Sequence, residues 1–336
     1  MNILVTGAAG YVGSVCAEVL LARGYSVVAL DNLVAGHRAA VPAGCAFHDC
    51  DLLDFARLET IFRASQIDAV MHFAAESLIE KSVREPSSFF RVNVAGGIHL
   101  LDAMLRNGVK RIVFSSSASV YGEPQRVPIA EDDPKTPINP YGQTKWVFEG
   151  ILADYGRFSG VQHVSLRYFN AAGATRERGE AHPIETHLIP RILEVAAGQR
   201  EHFEIRGDDY PTPDGTCVRD YVHILDIADA HALALDSLDR VSGEAINVGN
   251  SRGYSVREVL ETARRLTARS IPAVVAPRRP GDPSSLIASG EKIRRTLGWV
   301  PRHSTLESII QSAWNWKQSH PHGYSEAAGG ERGSAS

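Results

Sequence analysis

The sequence predicts an α/β chain: a doubly wound parallel sheet of dinucleotide-binding type, followed by a smaller C-terminal α/β domain for substrate. Three observations predict it. Strand-length apolar runs alternate with helical patterns through the first half, a glycine turn joins the first strand to the first helix, and an acid closes the second strand. That alternation is the pattern of parallel strands joined by right-handed crossovers.

The first strand is Asn2-Ile3-Leu4-Val5-Thr6, followed by Gly7-Ala8-Ala9-Gly10-Tyr11-Val12-Gly13 and an apolar helical pattern through Val15, Val19 and Leu20. Glycines here let the backbone turn tightly and approach a pyrophosphate, whose charge rests on free N–H groups at the helix start. The spacing is G-x-x-G-x-x-G, a variant of the commoner G-x-G-x-x-G. The second strand, 26 to 31, ends in Asp31, 18 residues past Gly13. A carboxylate there holds the ribose hydroxyls of the adenosine and repels a 2′-phosphate, which favours NAD over NADP. Further strands are expected near 45 to 49, 68 to 73, 111 to 115 and 163 to 169. Their carboxyl ends carry Thr6-Gly7, Asp31-Asn32, Phe73-Ala74-Ala75, Ser115-Ser116-Ser117 and Phe169-Asn170, where ligands of such sheets sit. From about 171 the rhythm gives way to loops and helices near 187 to 199, 225 to 238, 255 to 268 and 305 to 317. The expected division is 1 to 170 for the cofactor domain, with return segments near 220 to 250, then 171 to 318 for substrate and a flexible tail over 319 to 336.

Composition narrows the function. The chain has 336 residues, 44% hydrophobic and 22% charged, enough to bury a sizeable core. A net charge of −4 without a long basic run argues against nucleic acid as a partner. No leader and no apolar run of about 18 residues is visible, so a cytoplasmic, membrane-free protein is expected. Cys16, Cys45, Cys50 and Cys217 show no C-x-x-C pairing and are expected as free thiols. His182, His187, His320, His322 and the other histidines lack ligand spacing on a shared helix face, so no metal site is expected.

The chemistry sits in Asn139-Pro140-Tyr141-Gly142-Gln143-Thr144-Lys145. Four-residue spacing puts the Tyr141 phenol and the Lys145 ammonium on one helix face. A nearby cation favours the phenolate, so Tyr141 is a candidate base when Lys145 and a cationic cofactor ring flank it. Ser117, at the end of the fifth strand, is the candidate third member, sharing a substrate hydroxyl's proton with Tyr141. Such a set beside a nicotinamide suits removal of an alcohol proton while hydride leaves the same carbon.

With these motifs the chain resembles the extended short-chain dehydrogenases/reductases, within them the NAD-dependent epimerases and dehydratases that act on nucleotide sugars. The resemblance covers about residues 1 to 324. It also rests on Asp31-Asn32-Leu33, Met71-His72-Phe73-Ala74-Ala75, Leu166-Arg167-Tyr168-Phe169-Asn170, the run from Asp209 to Tyr221, and the run from Ala276 to Asp282. It implies a Rossmann-type fold and tightly held NAD contacted by Gly7, Gly10, Tyr11, Val12, Gly13, Asp31, Asn32, Phe73, Ala74, Ala75, Ser115, Tyr141, Lys145 and Tyr168. Asp51 and Leu52 would flank the adenine and Asn93 would lie near the cofactor. It further implies that Ser77, Ser117, Tyr141, Asn170, Leu188, Arg219, Arg279 and Asp282 hold a UDP-hexose. Two guanidiniums suit a diphosphate because each can grip it in forked geometry.

The implied reaction is interconversion of UDP-galactose and UDP-glucose through a 4-keto sugar that turns over in the site, and a homodimer is implied as well. Dehydratases of the group carry Asp-Glu where this chain has Ala118-Ser119, which sets dehydration aside. Ser77, Arg206 and Leu286 depart from the enteric-type pattern of lysine, aromatic and tyrosine. The smaller Leu286 opens acceptance of N-acetylated UDP-hexoses. UDP-N-acetylglucosamine or UDP-glucuronate 4-epimerisation remains the alternative within enzymes, and an NAD-bound sensor or scaffold the alternative outside them.

Overall fold

Alternate residues of the first strand enter opposite faces of the sheet, and both faces are buried. Ile3 and Val5 join one apolar cluster, Leu4 another, and all three are fully excluded from solvent. The computed structural model describes residues 1–279 and 282–324. Seven parallel strands form the main sheet in the order Glu244–Val248, Gln162–Tyr168, Arg111–Ser117, Ala69–His72, Asn2–Thr6, Ser26–Asp31, Ala46–Asp49. The order reverses beside the first strand, which leaves a crevice at the carboxyl edge between Thr6 and His72.

One face is covered by the helices Phe55–Ser65, Gly96–Arg106 and Pro140–Ser159, which supply Leu58, Phe62, Leu100, Met104, Phe148 and Leu152. The other is covered by Tyr11–Ala22 and Ile224–Asp236, which supply Ala17, Leu20, Ile227 and Ala234. Each Leu, Ile or Phe so enclosed contributes about 1.5–3 kcal/mol. The helix Ile224–Asp236 and the strand Glu244–Val248 return to this sheet from the second half of the chain, and the strand pairs with Gln162–Tyr168.

The remaining residues build a second apolar cluster around the helices Leu188–Ala196, Val256–Thr267 and Leu306–Ser319. Its strands are short: Asn170–Ala172, Val218–His223, Gly253–Ser255 and Ser285–Leu286 in one sheet, Phe203–Arg206 with Ala273–Ala276 in another. Two to six residues carry too little alternation to be read from sequence. The helix Val256–Thr267 starts at a Ser255/Glu258 capping box.

The expected tail needs correction at its start. After the helix ends at Ser319, residues 320–324 fold back: the Tyr324 ring lies 5.5 Å from Trp316, and its hydroxyl accepts the Gly179 N–H at 3.1 Å. An aromatic anchor at the end of a polar stretch is what composition alone conceals. Residues 325–336 of that expectation, and Pro280 and Gly281 of the Ala276 to Asp282 motif, lie outside the described residues. No described helix is long and apolar enough to cross a membrane. All four cysteines are free, with Cys16, Cys50 and Cys217 buried and Cys45 half-buried.

Gly97 and Gly150 give a matched test of helix packing. A Cβ on Gly97 would stand 2.3 Å from the Phe148 ring, whereas a Cβ on Gly150 would meet nothing within 4 Å. Gly97→Ala is expected to cost a net of about 1–2 kcal/mol, overpacking outweighing the gain in helix propensity. Gly150→Ala is expected to stabilise by about 0.5–1 kcal/mol. Denaturant unfolding midpoints check both.

Candidate active site

The nucleotide turn is built by close approach. A Cβ on Gly13 would stand 2.1 Å from the Gly7 carbonyl oxygen, and one on Gly7, at φ +70°, would stand 2.6 Å from the Ala74 nitrogen. Only glycine fits either position. Gly10 precedes the helix Tyr11–Ala22, which has no side-chain cap and no acid in its first turn, so its leading N–H groups are open to an anion. Val12 packs into the apolar clusters beneath, and the Tyr11 phenol donates to the Gly173 carbonyl at 2.5 Å.

Around this turn the fold assembles the other predicted residues. Asp31 accepts the Ala9 N–H on one carboxylate oxygen and the Leu33 N–H on the other, both at 2.9 Å. Asn32 donates to Asp51 at 2.9 Å, which brings the ends of two strands together. Leu52 beside it is buried. Phe73 donates its N–H to the Thr6 carbonyl at 3.0 Å, and Ala74 lies against Gly7. Ala75 is half-buried and Ser77 exposed on the loop that follows. Asn93, in a π-helical turn over Phe90–Ala95, spends both amide donors on the Glu76 carbonyl and Thr144 hydroxyl, each at 3.0 Å, and accepts the Glu76 N–H at 2.8 Å. It therefore pins the 74–77 loop to the helix Pro140–Ser159 and has no N–H left for a ligand.

That helix carries the reactive pair. Its start is fixed by Asn139, whose side chain accepts the Gly142 N–H at 2.8 Å, and by Pro140 at the first position. A Cβ on Gly142 would lie 2.4 Å from the Ser119 carbonyl oxygen, so the helix start presses onto the loop after Ser117. Tyr141 and Ser117 meet there. Burial raises the Tyr141 phenol above its ordinary value, and the neighbouring Ser117 hydroxyl opposes that rise.

Lys145 is 3% exposed; its Nζ donates to the Ser115 carbonyl at 2.8 Å and lies 5.8 Å from the Tyr141 ring centroid. Burial pulls this ammonium down to about 7, against the pull of Glu149. Ser115 and Tyr168 share a hydrogen bond between hydroxyls. His72 is bonded to Thr6 Oγ1 at 2.8 Å; burial, then Lys145, hold it at about 3, so it is a neutral wall of the site.

Glu149 and Arg167 are the residues the sequence reading missed. Arg167 meets the Glu149 carboxylate with two nitrogens, at 2.9 and 2.5 Å, in a pair 3% and 6% exposed. Ser116 donates to the same carboxylate at 2.5 Å, and Arg167 extends the network to the Tyr121 hydroxyl at 2.9 Å and through it to Asn247 at 2.6 Å. The signal was available: Tyr141, Lys145 and Glu149 follow at i, i+4 and i+8, and a charge inside an apolar strand requires a partner.

On the substrate side, Asn170 donates to the Asp220 carbonyl at 2.9 Å, and Leu188 opens the helix Leu188–Ala196. Arg219 and Arg279, which the resemblance implies hold the nucleotide sugar, each stand beside a carboxylate. Arg219 donates to Asp282 at 2.6 Å, and Arg279 lies 3.9 Å from Glu80 on the helix Ile79–Arg84. Tertiary folding gives each arginine a carboxylate that is distant in sequence. The expectation of no metal site rested on helix faces, whereas a loop gathers ligand atoms of Glu180, His182, Glu185 and His187 within 4.8 Å of one another. Helix-face spacing is blind to a loop. Of the three departures, Arg206 pairs with Glu204 at 2.6 Å, Ser77 faces solvent, and Leu286 packs against the cluster of Ala118, Tyr121 and Phe169 beside Ser117.

A family model for NAD dependent epimerases/dehydratases matches residues 3–249. The chain belongs to that family. It is 51% identical over 329 residues to a UDP-glucose 4-epimerase of Halalkalibacterium halodurans, covering 97% of this chain and 98% of that one. A crystal structure of a UDP-glucose 4-epimerase superposes with a TM-score of 0.95 at 45% identity, over 97% of this chain and 100% of that one. One from Brucella ovis in complex with NAD superposes with a TM-score of 0.90 at 45% identity, over 93% and 97%.

The epimerase/dehydratase turn of this chain fits NAD: glycines that admit no Cβ, an uncapped helix start, and a strand-end carboxylate whose oxygens each hold one backbone N–H and keep room for a hydroxyl. Glu149 fixes the helix that carries Tyr141, and Glu149→Ala would leave Arg167 charged and unpaired inside the sheet. A loss of about 3–5 kcal/mol is expected in urea unfolding, with Glu149→Gln less severe.

Proposed function

We propose that this chain interconverts UDP-galactose and UDP-glucose, with NAD retained through the cycle. The observation that carries the reading is the meeting of Ser117, Tyr141 and Lys145 at the strand ends, beside a turn fitted to NAD, with Ala118-Ser119 in place of an acid and base for dehydration. Bound NAD supplies the capacity to take a hydride from C4 of the hexose and return it. Tyr141 takes the proton of the 4-hydroxyl and gives it back, and Ser117 orients that hydroxyl toward the phenol.

Burial governs how the base is made. In the bare cleft the phenol is held protonated and Lys145 loses its charge near neutrality. A positive charge next to Tyr141 draws the proton from the phenol, and the phenolate so formed in turn favours the Lys145 ammonium. Lys145, braced on the Ser115 carbonyl, presents its Nζ toward that ring. Asp31, Asn32 and Asp51 would hold the adenosine end, and Phe73 to Ala75, Ser115 and Tyr168 the nicotinamide end. Asn170, Leu188, Arg219, Arg279 and Asp282 would anchor the nucleotide, leaving the hexose to turn in a pocket of small residues.

We read residues 1–170 with the returning segment as the cofactor unit and 171–318 as the substrate unit. A cytoplasmic homodimer accords with this reading. Leu286, packed beside Ala118, supports acceptance of N-acetylated UDP-hexoses. Turnover of UDP-N-acetylglucosamine at less than about a thousandth of the UDP-glucose rate would reject that extension; the discrimination one side chain gives is about 10–200-fold.

Incubating the purified protein with UDP-galactose and no added cofactor should yield UDP-glucose by chromatography. No conversion after NAD is supplied would refute the assignment. Tyr141→Phe should lower the rate by about 10²–10⁴-fold while NAD stays bound. The rate should rise with pH as the phenol ionises. In Lys145→Met that rising limb should move to higher pH, since a lost cation disfavours the phenolate.

A further inference from the structure

The loop Glu180-Ala181-His182-Pro183-Ile184-Glu185-Thr186-His187 carries a cluster that the reaction does not use. His182 Nδ1 lies 3.3 Å from Glu180 and 3.4 Å from Glu185; His187 Nδ1 lies 2.7 and 2.9 Å from the same two carboxylates. One ligand atom from each residue falls within 4.8 Å of all the others. Both carboxylates are only 7% exposed, yet among the described residues no lysine or arginine pairs with either.

Two buried carboxylates require two positive charges. Two imidazolium protons supply them, and so does one divalent cation with both imidazoles neutral. We propose that Glu180, His182, Glu185 and His187 bind one divalent transition-metal ion of the zinc class through two imidazole nitrogens and two carboxylate oxygens. Zinc bonds of about 2.0–2.2 Å in a tetrahedron separate ligand atoms by about 3.4 Å, so the observed spacings need only small adjustment. Mixed nitrogen and oxygen donors favour zinc, cobalt or nickel over magnesium or calcium, which prefer oxygen alone.

The location gives the ion a structural task. Glu180, His182 and Glu185 of the cluster line a cavity of about 720 Å³ that His37, Trp316, Lys317 and His322 also wall. His37 Nε2 bonds the Ala181 carbonyl at 2.7 Å, and Tyr11 of the nucleotide turn feels both glutamates. An ion here braces the loop that leads into the helix Leu188–Ala196 against the cofactor side of the cleft.

Protons compete for the same place. Burial opposes charge on His182, but its bonds to Glu180 and Glu185 carry it to about 9; His187 is likewise raised by Glu180 against the effect of burial. Facing groups on the same cavity are Lys317, itself lowered by burial, with His37, Glu194 and His322, and the Tyr11 phenol, raised by burial, is raised further by both glutamates.

The full chain with its NAD, stripped by chelator, should be titrated with Zn²⁺ by calorimetry in buffers of different ionisation heat, and with Co²⁺ by visible absorption. Expected are saturable uptake of one ion per chain and the intense absorption of tetrahedral cobalt. Zn²⁺ should raise the melting temperature of the parent chain. His182→Gln and Glu185→Gln should each lose that uptake and that rise, with NAD content confirming that they fold. Absence of saturable one-to-one uptake by the folded parent chain overturns the proposal, whatever the variants do. So does uptake that both folded variants retain unchanged.

Discussion

The buried pair of Glu149 and Arg167 is the constraint on which the rest of the site depends. Neither charge tolerates the sheet interior alone, so the helix Pro140–Ser159 and the strand Gln162–Tyr168 are locked at one relative height. Ser116 adds the neighbouring strand to the same carboxylate, and Tyr121 with Asn247 carries the lock to the sheet edge. Two turns before Glu149 on the same helix stands Tyr141, and one turn before it Lys145. Tyr141 and Lys145 inherit their position from this buried ion pair.

Electrostatics in the cleft follow from burial more than from pairing. The phenol of Tyr141 is pushed up, the ammonium of Lys145 down to about 7, and His72 down to about 3. A near-neutral cleft before loading is the result. Charge enters with the ligands, so proton transfer is prepared when cofactor and sugar are both in place. Arg219 is paired with Asp282 and Arg279 stands 3.9 Å from Glu80, so under the proposed function a diphosphate would compete with those carboxylates.

Local residues made a large part of this legible. The turn from Gly7 to Gly13 could be read because its glycines meet atoms only a few residues away or on the adjacent strand, and Asp31 because strand length fixes where it falls. Tyr141 and Lys145 could be read from helical spacing, with Asn139 and Pro140 marking the start. Asn93 could be placed near the cofactor by resemblance, but not its occupation by Glu76 and Thr144, which lie 17 and 51 residues away. Tyr324 looked like tail because nothing near it in sequence announces Trp316 as its partner.

The sequence by itself determined the alternation of strands and helices, the glycine turn, the acid at the end of the second strand, and the phenol and ammonium on one face. These depend on contacts between near neighbours and on the fixed periods of helix and strand. Tertiary structure alone decided which buried charges neutralise which: Glu149 with Arg167, and Arg219 with Asp282. Pairing of buried charge is set by distance in space and by the exclusion of water, and neither is written in the order of residues.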